Sequence, residues 1–97
     1  MRQSPLEKTI VNGVLKVARD LGWWAMKNHG SQFSVAGLPD VLVIKDGKAA
    51  WMEAKRPGEV PTKIQEHRMR ELGAAGCPVA VVRSAAEARD FLEACGR

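Results

Sequence analysis

Cysteine is scarce in this chain. Cys77 and Cys95 are the two thiols among 97 residues, and they lack the C-x-x-C spacing of a zinc site or redox pair. Free cysteines packed as small hydrophobes in a reducing cytoplasm are the expectation. No apolar run approaches the length of a membrane span, and no signal peptide precedes the first helix, so a cytoplasmic protein without membrane contact is expected. There is no internal repeat and no low-complexity tract. The length excludes two domains, and residues 1–97 are expected to form one stand-alone domain. Histidine is equally sparse. His29 lies in a polar loop and His67 on a helix beside Glu66 and Arg68, and neither joins a cysteine in a metal-binding group. Nothing resembles a recognition helix with a base-reading set.

What is present suits a small α/β core. Hydrophobic residues make up 45% of the chain, enough for one core, and the net charge is +4. The resulting pI of about 9.4 permits a polyanionic partner without identifying one. Ser4-Pro5-Leu6-Glu7 opens a helix, with Leu6, Ile10, Val14, Val17, Ala18 and Leu21 at helical spacing and Gly22 as its stop. Trp23 to Lys27 is a short strand, and residues 28–35 form a polar loop. Val41 to Ile44 and Ala49 to Lys55 are strands joined by Asp46-Gly47, a tight-turn pair. Residues 56–61 contain two prolines and a glycine and read as a turn or lid. Thr62 then caps a second helix, with Ile64, Met69 and Leu72 as its apolar positions. Val79 to Arg83 is a fourth, buried strand, and a last helix runs from Ser84 to Gly96. The strand–helix–strand crossover from Ala49–Lys55 to Val79–Arg83 implies a parallel pair beside the antiparallel hairpin. A mixed four-stranded sheet flanked by about three helices follows.

Charge is concentrated where a hairpin core should not carry it. Along the return strand Glu53 and Lys55 share one face, with Met52 and Ala54 on the other. Asp40 stands at the start of the partner strand, so the hairpin brings two carboxylates and an ammonium to one end of the sheet. Carboxylates that close repel, and one has its pKa raised unless a cation shares the site. Hard divalent ions such as Mg²⁺ take such oxygen ligands together with water and phosphate.

Three segments fit the S/T-x-x-E/Q capping box: Ser4 to Glu7, Thr62 to Gln65 and Ser84 to Glu87. On local chemistry alone Glu7 and Gln65 are therefore helix caps. The three tryptophans read as core or interface rather than as rings for bases, and Lys45 and Lys48 as solvated flanks of the turn.

Pro39-Asp40 followed by Glu53-Ala54-Lys55 resembles the PD-(D/E)xK signature of a large nuclease superfamily. Gly37-Leu38-Pro39-Asp40, the short hairpin and Gln65 at a helix start are most similar to its VRR-NUC branch, the virus-type replication and repair nucleases. The resemblance runs from the first helix to the Val79 strand. It implies a restriction-endonuclease-like core and a metal-dependent endonuclease acting on DNA. It further implies that Asp40, Glu53 and the Ala54 backbone carbonyl hold one or two Mg²⁺ or Mn²⁺ ions. Lys55 would orient the attacking water and Gln65 would position Lys55 or that water. For Glu7 the resemblance leaves two roles open, a helix cap and a ligand of a second metal or of the shell behind the first. Lys27, Asn28, His29, Ser31 and Lys63 are candidate phosphate contacts. Short members of the family are associated with homodimers that cut four-way (Holliday) junctions in DNA repair and recombination, including in phage, and that is the expectation for this chain. The rivals are a non-catalytic DNA-binding or assembly module on the same fold, and a flap-nicking nuclease that works with a helicase or repair partner.

Overall fold

In the computed structural model, which describes residues 5–30 and 35–96, the apolar spacing of the first segment produces helix α1 (Pro5–Asp20). Val11, Val14, Leu15, Val17 and Ala18 form its buried stripe. That stripe is broader than the sequence spacing suggested, since Val11 and Leu15 join it, while Leu6 remains 51% exposed. Ser4, the expected cap, lies outside the described residues. After Gly22, which takes φ +87°, the chain enters β1 (Trp24–Lys27), followed by β2 (Val41–Lys45), β3 (Lys48–Ala54), α2 (Lys63–Ala74), β4 (Val79–Val82) and α3 (Ala85–Cys95). Among the described residues no helix is long and apolar enough to cross a membrane.

The strands form one mixed sheet in the order β1-β2-β3-β4, antiparallel except for the β3/β4 pair, which is parallel. Asp46 and Gly47 both adopt positive φ, 51° and 77°. A type I′ turn requires this, and it sets the register that pairs Lys45 with Lys48 and Val41 with Met52. Alternation then sends Ala25, Val41, Val43, Ala50, Met52, Ala54 and Val82 to one face. There they meet Val11, Val14 and Ala18 of α1 and Ala88 and Leu92 of α3 in a single core. Each fully buried Val, Leu or Met contributes about 1.5–3 kcal/mol by leaving water. β4 is less buried than expected: only Val82 is fully enclosed, because the strand is a sheet edge.

α2 is held differently, because none of its residues is buried. Polar contacts and one close approach fix it instead. Arg68 donates from Nε to the Ala36 carbonyl at 2.7 Å, and Gly37, at φ +82°, lies so near Ile64 that a Cβ there would sit 2.8 Å from the Ile64 carbonyl oxygen. The glycine of Gly37-Leu38-Pro39-Asp40 is thus what lets the loop before β2 dock on the second helix. The third expected capping box is altered. Ser84 accepts from the Glu87 amide at 3.1 Å, but the Glu87 carboxylate reaches past Ser84 to the Arg83 amide at 2.9 Å.

Candidate active site

Extending the hairpin register by one residue places Asp40 opposite Glu53, on the face turned away from α1 and α3. The next ladder partner of Ala54 would be position 39, which is proline. The Asp40 carboxylate fills that place, accepting from the Ala54 N–H at 2.9 Å. The Asp40 carbonyl in turn accepts from the Asn28 N–H at 2.6 Å, which carries the β1/β2 pairing one step further. A proline–aspartate pair at this point ends the ladder and turns a carboxylate onto the sheet.

Glu53 is only 2% exposed, the one buried charged residue among those described. Its Oε2 accepts from the Gln65 side-chain amide at 3.0 Å. Its Oε1 is buried and has no hydrogen-bond partner. Burial, and then the negative charge of Asp40, push the Glu53 carboxyl from 4.5 up to about 8, with Lys55 pulling the other way. Two carboxylates in this setting need a proton or a cation with them. An orphaned carboxylate oxygen beside a second carboxylate is a donor set for a hard cation, and Mg²⁺ or Mn²⁺ fits it. No three His, Cys, Asp or Glu side chains converge anywhere among the described residues. The resemblance drawn from the sequence would make Asp40, Glu53 and the Ala54 carbonyl the protein ligands. Ala54 itself has its methyl group in the core.

Gln65 caps its helix and makes a second contact, with Glu53 rather than with Lys55. Its Oε1 accepts from the Thr62 N–H at 2.9 Å and its own N–H donates to Thr62 Oγ1 at 3.3 Å, a complete capping box. Its Nε2 remains for Glu53. A glutamate at this position would complete the same box, but would offer Glu53 no donor and add a third negative charge.

Lys55 immediately follows β3, half-buried, with its N–H donating to the Val82 carbonyl at 3.1 Å. Its ammonium opposes, without cancelling, the upward shift of both the Glu53 and the Glu7 carboxyl. Glu7 meets a different neighbourhood from the Asp40–Glu53 pair. Its carboxylate is 3.8 Å from the Arg56 guanidinium, and its pKa is raised by burial and by the adjoining Glu59. Arg56 and Glu59 close the turn after Lys55. Glu59 Oε1 accepts from both the Arg56 Nε (2.7 Å) and the Arg56 N–H (3.2 Å), and Arg83 donates to the Glu59 carbonyl at 2.7 Å. This clasp was not anticipated from sequence. Its only signal there was a charged pair flanking Pro57-Gly58.

Of the remaining candidates, Asn28 lies beside the carboxylates, its Nδ2 donating to the Pro39 carbonyl at 3.4 Å. Lys27 ends β1, His29 is exposed in the loop after it and Lys63 is exposed at the start of α2. Ser31 lies outside the described residues.

No family model matches this chain, and no curated protein matches it. Among solved structures it is similar to a VRR-NUC domain, with a TM-score of 0.79 at 23% identity over 93% of this chain and 97% of that one. The chain has the fold of that domain, a mixed four-stranded sheet with three helices.

Proposed function

We propose that this protein is a divalent-metal-dependent endodeoxyribonuclease of the VRR-NUC type. The observation that carries the proposal is the Asp40–Glu53 pair, with one buried glutamate oxygen unpartnered and the other held by Gln65. The likeness to a VRR-NUC domain supports it. Such a pair is costly to keep in a fold unless a ligand neutralises it.

Asp40 and Glu53 would hold Mg²⁺ or Mn²⁺, which supplies charge to polarise a phosphodiester and to acidify water. Gln65 keeps the Glu53 carboxylate in one rotamer through its amide, so the ligand is in place before substrate arrives. Lys55 presents a cation on the same edge of the site, suited to hold a water by its lone pair and to offset charge that develops on the phosphoryl oxygens. Glu7, 3.8 Å from the Arg56 guanidinium, would serve as a second-metal ligand or in the shell behind the first. Asn28, His29 and Lys63, with Lys27 at the end of β1, are the candidate contacts to the DNA backbone and would carry no sequence readout.

The substrate class we favour is branched DNA, in particular the four-way junction, cut by two copies of the chain. One chain of 32 × 29 × 24 Å carries one such site, and paired nicks across a two-fold junction need two. The test compares wild type with Asp40→Asn on four-way, flap and linear DNA, in Mg²⁺, Mn²⁺ or EDTA. Wild type should cut only with metal. Asp40→Asn should bind DNA at least as well, having lost a negative charge, and cut at least about a hundredfold more slowly. Metal-dependent cutting by Asp40→Asn at the wild-type rate would overturn the assignment. Sedimentation at micromolar concentration tests the homodimer.

A further inference from the structure

The face that carries Asp40 and Glu53 continues along the sheet as two apolar rows. Register and alternation place Met26, Leu42 and Trp51 in the row next to the carboxylates, and Trp24 and Ile44 in the row beyond. α1 and α3 pack on the opposite face, and α2 reaches this face at the carboxylates through Gln65. Trp24 is 57% exposed, Met26 and Ile44 each 38%, and Leu42 and Trp51 are half-buried. No charged side chain interrupts the two rows. A patch of this kind on an otherwise charged protein needs an occupant.

We propose that it is a stacking platform for unpaired bases of the strand being cut, with Trp24 as its principal ring. The inference rests on the nuclease reading above. Successive rows lie two residues apart, roughly 7 Å, so Trp24 is on the order of 13 Å along the sheet from the carboxylate row. A strand whose phosphate is held at Asp40 and Glu53 therefore passes roughly two to four nucleotides over the patch. Phosphates gain nothing from an uncharged surface. Base faces do, and an aromatic ring accepts any base. A second copy of the chain fits less well. Seated on these rows, it would stand about 7 Å from the carboxylates and obstruct the strand that has to reach them. Bases in an intact duplex cannot lie on the platform, so it acts where pairing is absent beside the point of cleavage or is opened on binding, as at the crossover of a junction.

The test uses the full chain in EDTA, with fluorescein-labelled oligothymidylate of about 20 nucleotides and a duplex of similar length, read by anisotropy and by tryptophan fluorescence. Trp24→Ala should weaken oligothymidylate binding about tenfold or more and remove the quenching that stacking produces, while duplex affinity stays within about twofold; Trp24→Phe should restore most of the loss. Circular dichroism verifies that each variant is folded. Equal losses for both DNAs, or no loss for oligothymidylate, would overturn the platform. So would a change from dimer to monomer in Trp24→Ala with unaltered oligothymidylate affinity, which would make the face a seam between copies. The same samples, supplied with Mg²⁺ or Mn²⁺, report on cleavage. Cutting without a Trp24 effect sinks the platform alone, whereas base stacking without any cutting sinks the nuclease reading and leaves a binding surface.

Discussion

Replacing Glu53 by glutamine should make the metal-free protein more stable while destroying its response to metal. In the folded chain the Glu53 carboxyl is pushed from 4.5 to about 8, by burial first and by Asp40 second. The folded state therefore holds a proton that the unfolded chain releases between those two values. More protons bound in the folded state means that stability falls as pH rises. The contribution is fully present below about 4.5, is lost progressively towards 8 and is level above it. At pH 7.5 the ionisation available only to the unfolded chain is worth up to about 4 kcal/mol. Glutamine has the same shape and no charge. Its oxygen can still accept from Gln65, and its amide can donate to Asp40. Glu53→Gln should thus gain roughly 2–4 kcal/mol at pH 7.5, a rise in Tm on the order of 10 °C for a chain of this size, and under about 1 kcal/mol at pH 5. The assay is thermal unfolding of both proteins in EDTA at pH 5 and 7.5, repeated with millimolar Mg²⁺ and Mn²⁺. Metal should raise the wild-type Tm and leave the variant unmoved. A variant that melts at or below wild type at pH 7.5 in EDTA would refute the reasoning, as would a wild-type Tm that is flat from pH 5 to 8.

Metal binding to wild type below pH 8 should displace the Glu53 proton, so calorimetry in buffers of different ionisation enthalpy should register proton release that Glu53→Gln lacks. Gln65→Ala removes a cap and the Glu53 hydrogen bond together, and should cost about 1–2 kcal/mol by denaturant unfolding. Gln65→Glu should keep the helix cap and fold, losing only the Glu53 hydrogen bond, yet cut at least about tenfold more slowly, because it turns a third carboxylate towards the site; full activity would reduce Gln65 to a cap. Gly37→Ala should cost about 2–4 kcal/mol, since its Cβ would meet the Ile64 carbonyl at 2.8 Å in a left-handed conformation, and residual cutting should fall by more than the loss of folded protein accounts for.

The parts of this fold that were legible from sequence are those governed by local chemistry. Asp46-Gly47 announces its turn because few other pairs accept two positive φ angles. The 3.6-residue spacing of α1, the Thr62 cap and the parallel crossover were all readable for comparable reasons. The position of β1 beside β2 was not, since a four-residue strand of Trp, Ala, Met and Lys has no register of its own. The difference between Trp23 and Trp24 was also hidden. Adjacent residues on a strand face opposite ways, and only the assembled sheet decides that Trp23 is core and Trp24 is surface. The Arg56–Glu59–Arg83 clasp depends on two elements meeting, and its one local sign was the charged pair flanking Pro57-Gly58.

Gln65 shows why capping chemistry and site chemistry were hard to separate by reading alone. A box at this position could be closed equally well by glutamate, which is the commoner acid at helix starts and agrees better with the helix dipole. Glutamine closes it with the carbonyl and leaves an amide over, and the amide is what the buried Glu53 oxygen receives. The choice of the amide over the acid is therefore informative only once Glu53 is known to lie opposite. The same logic applies to Gly37 and Pro39. Each reads as turn punctuation in the sequence, yet one lets α2 approach and the other vacates a ladder position for the Asp40 carboxylate. Residues with ordinary local roles are here placed so that their second function falls on two carboxylates, and those carboxylates are the part of the fold that costs stability rather than adding it.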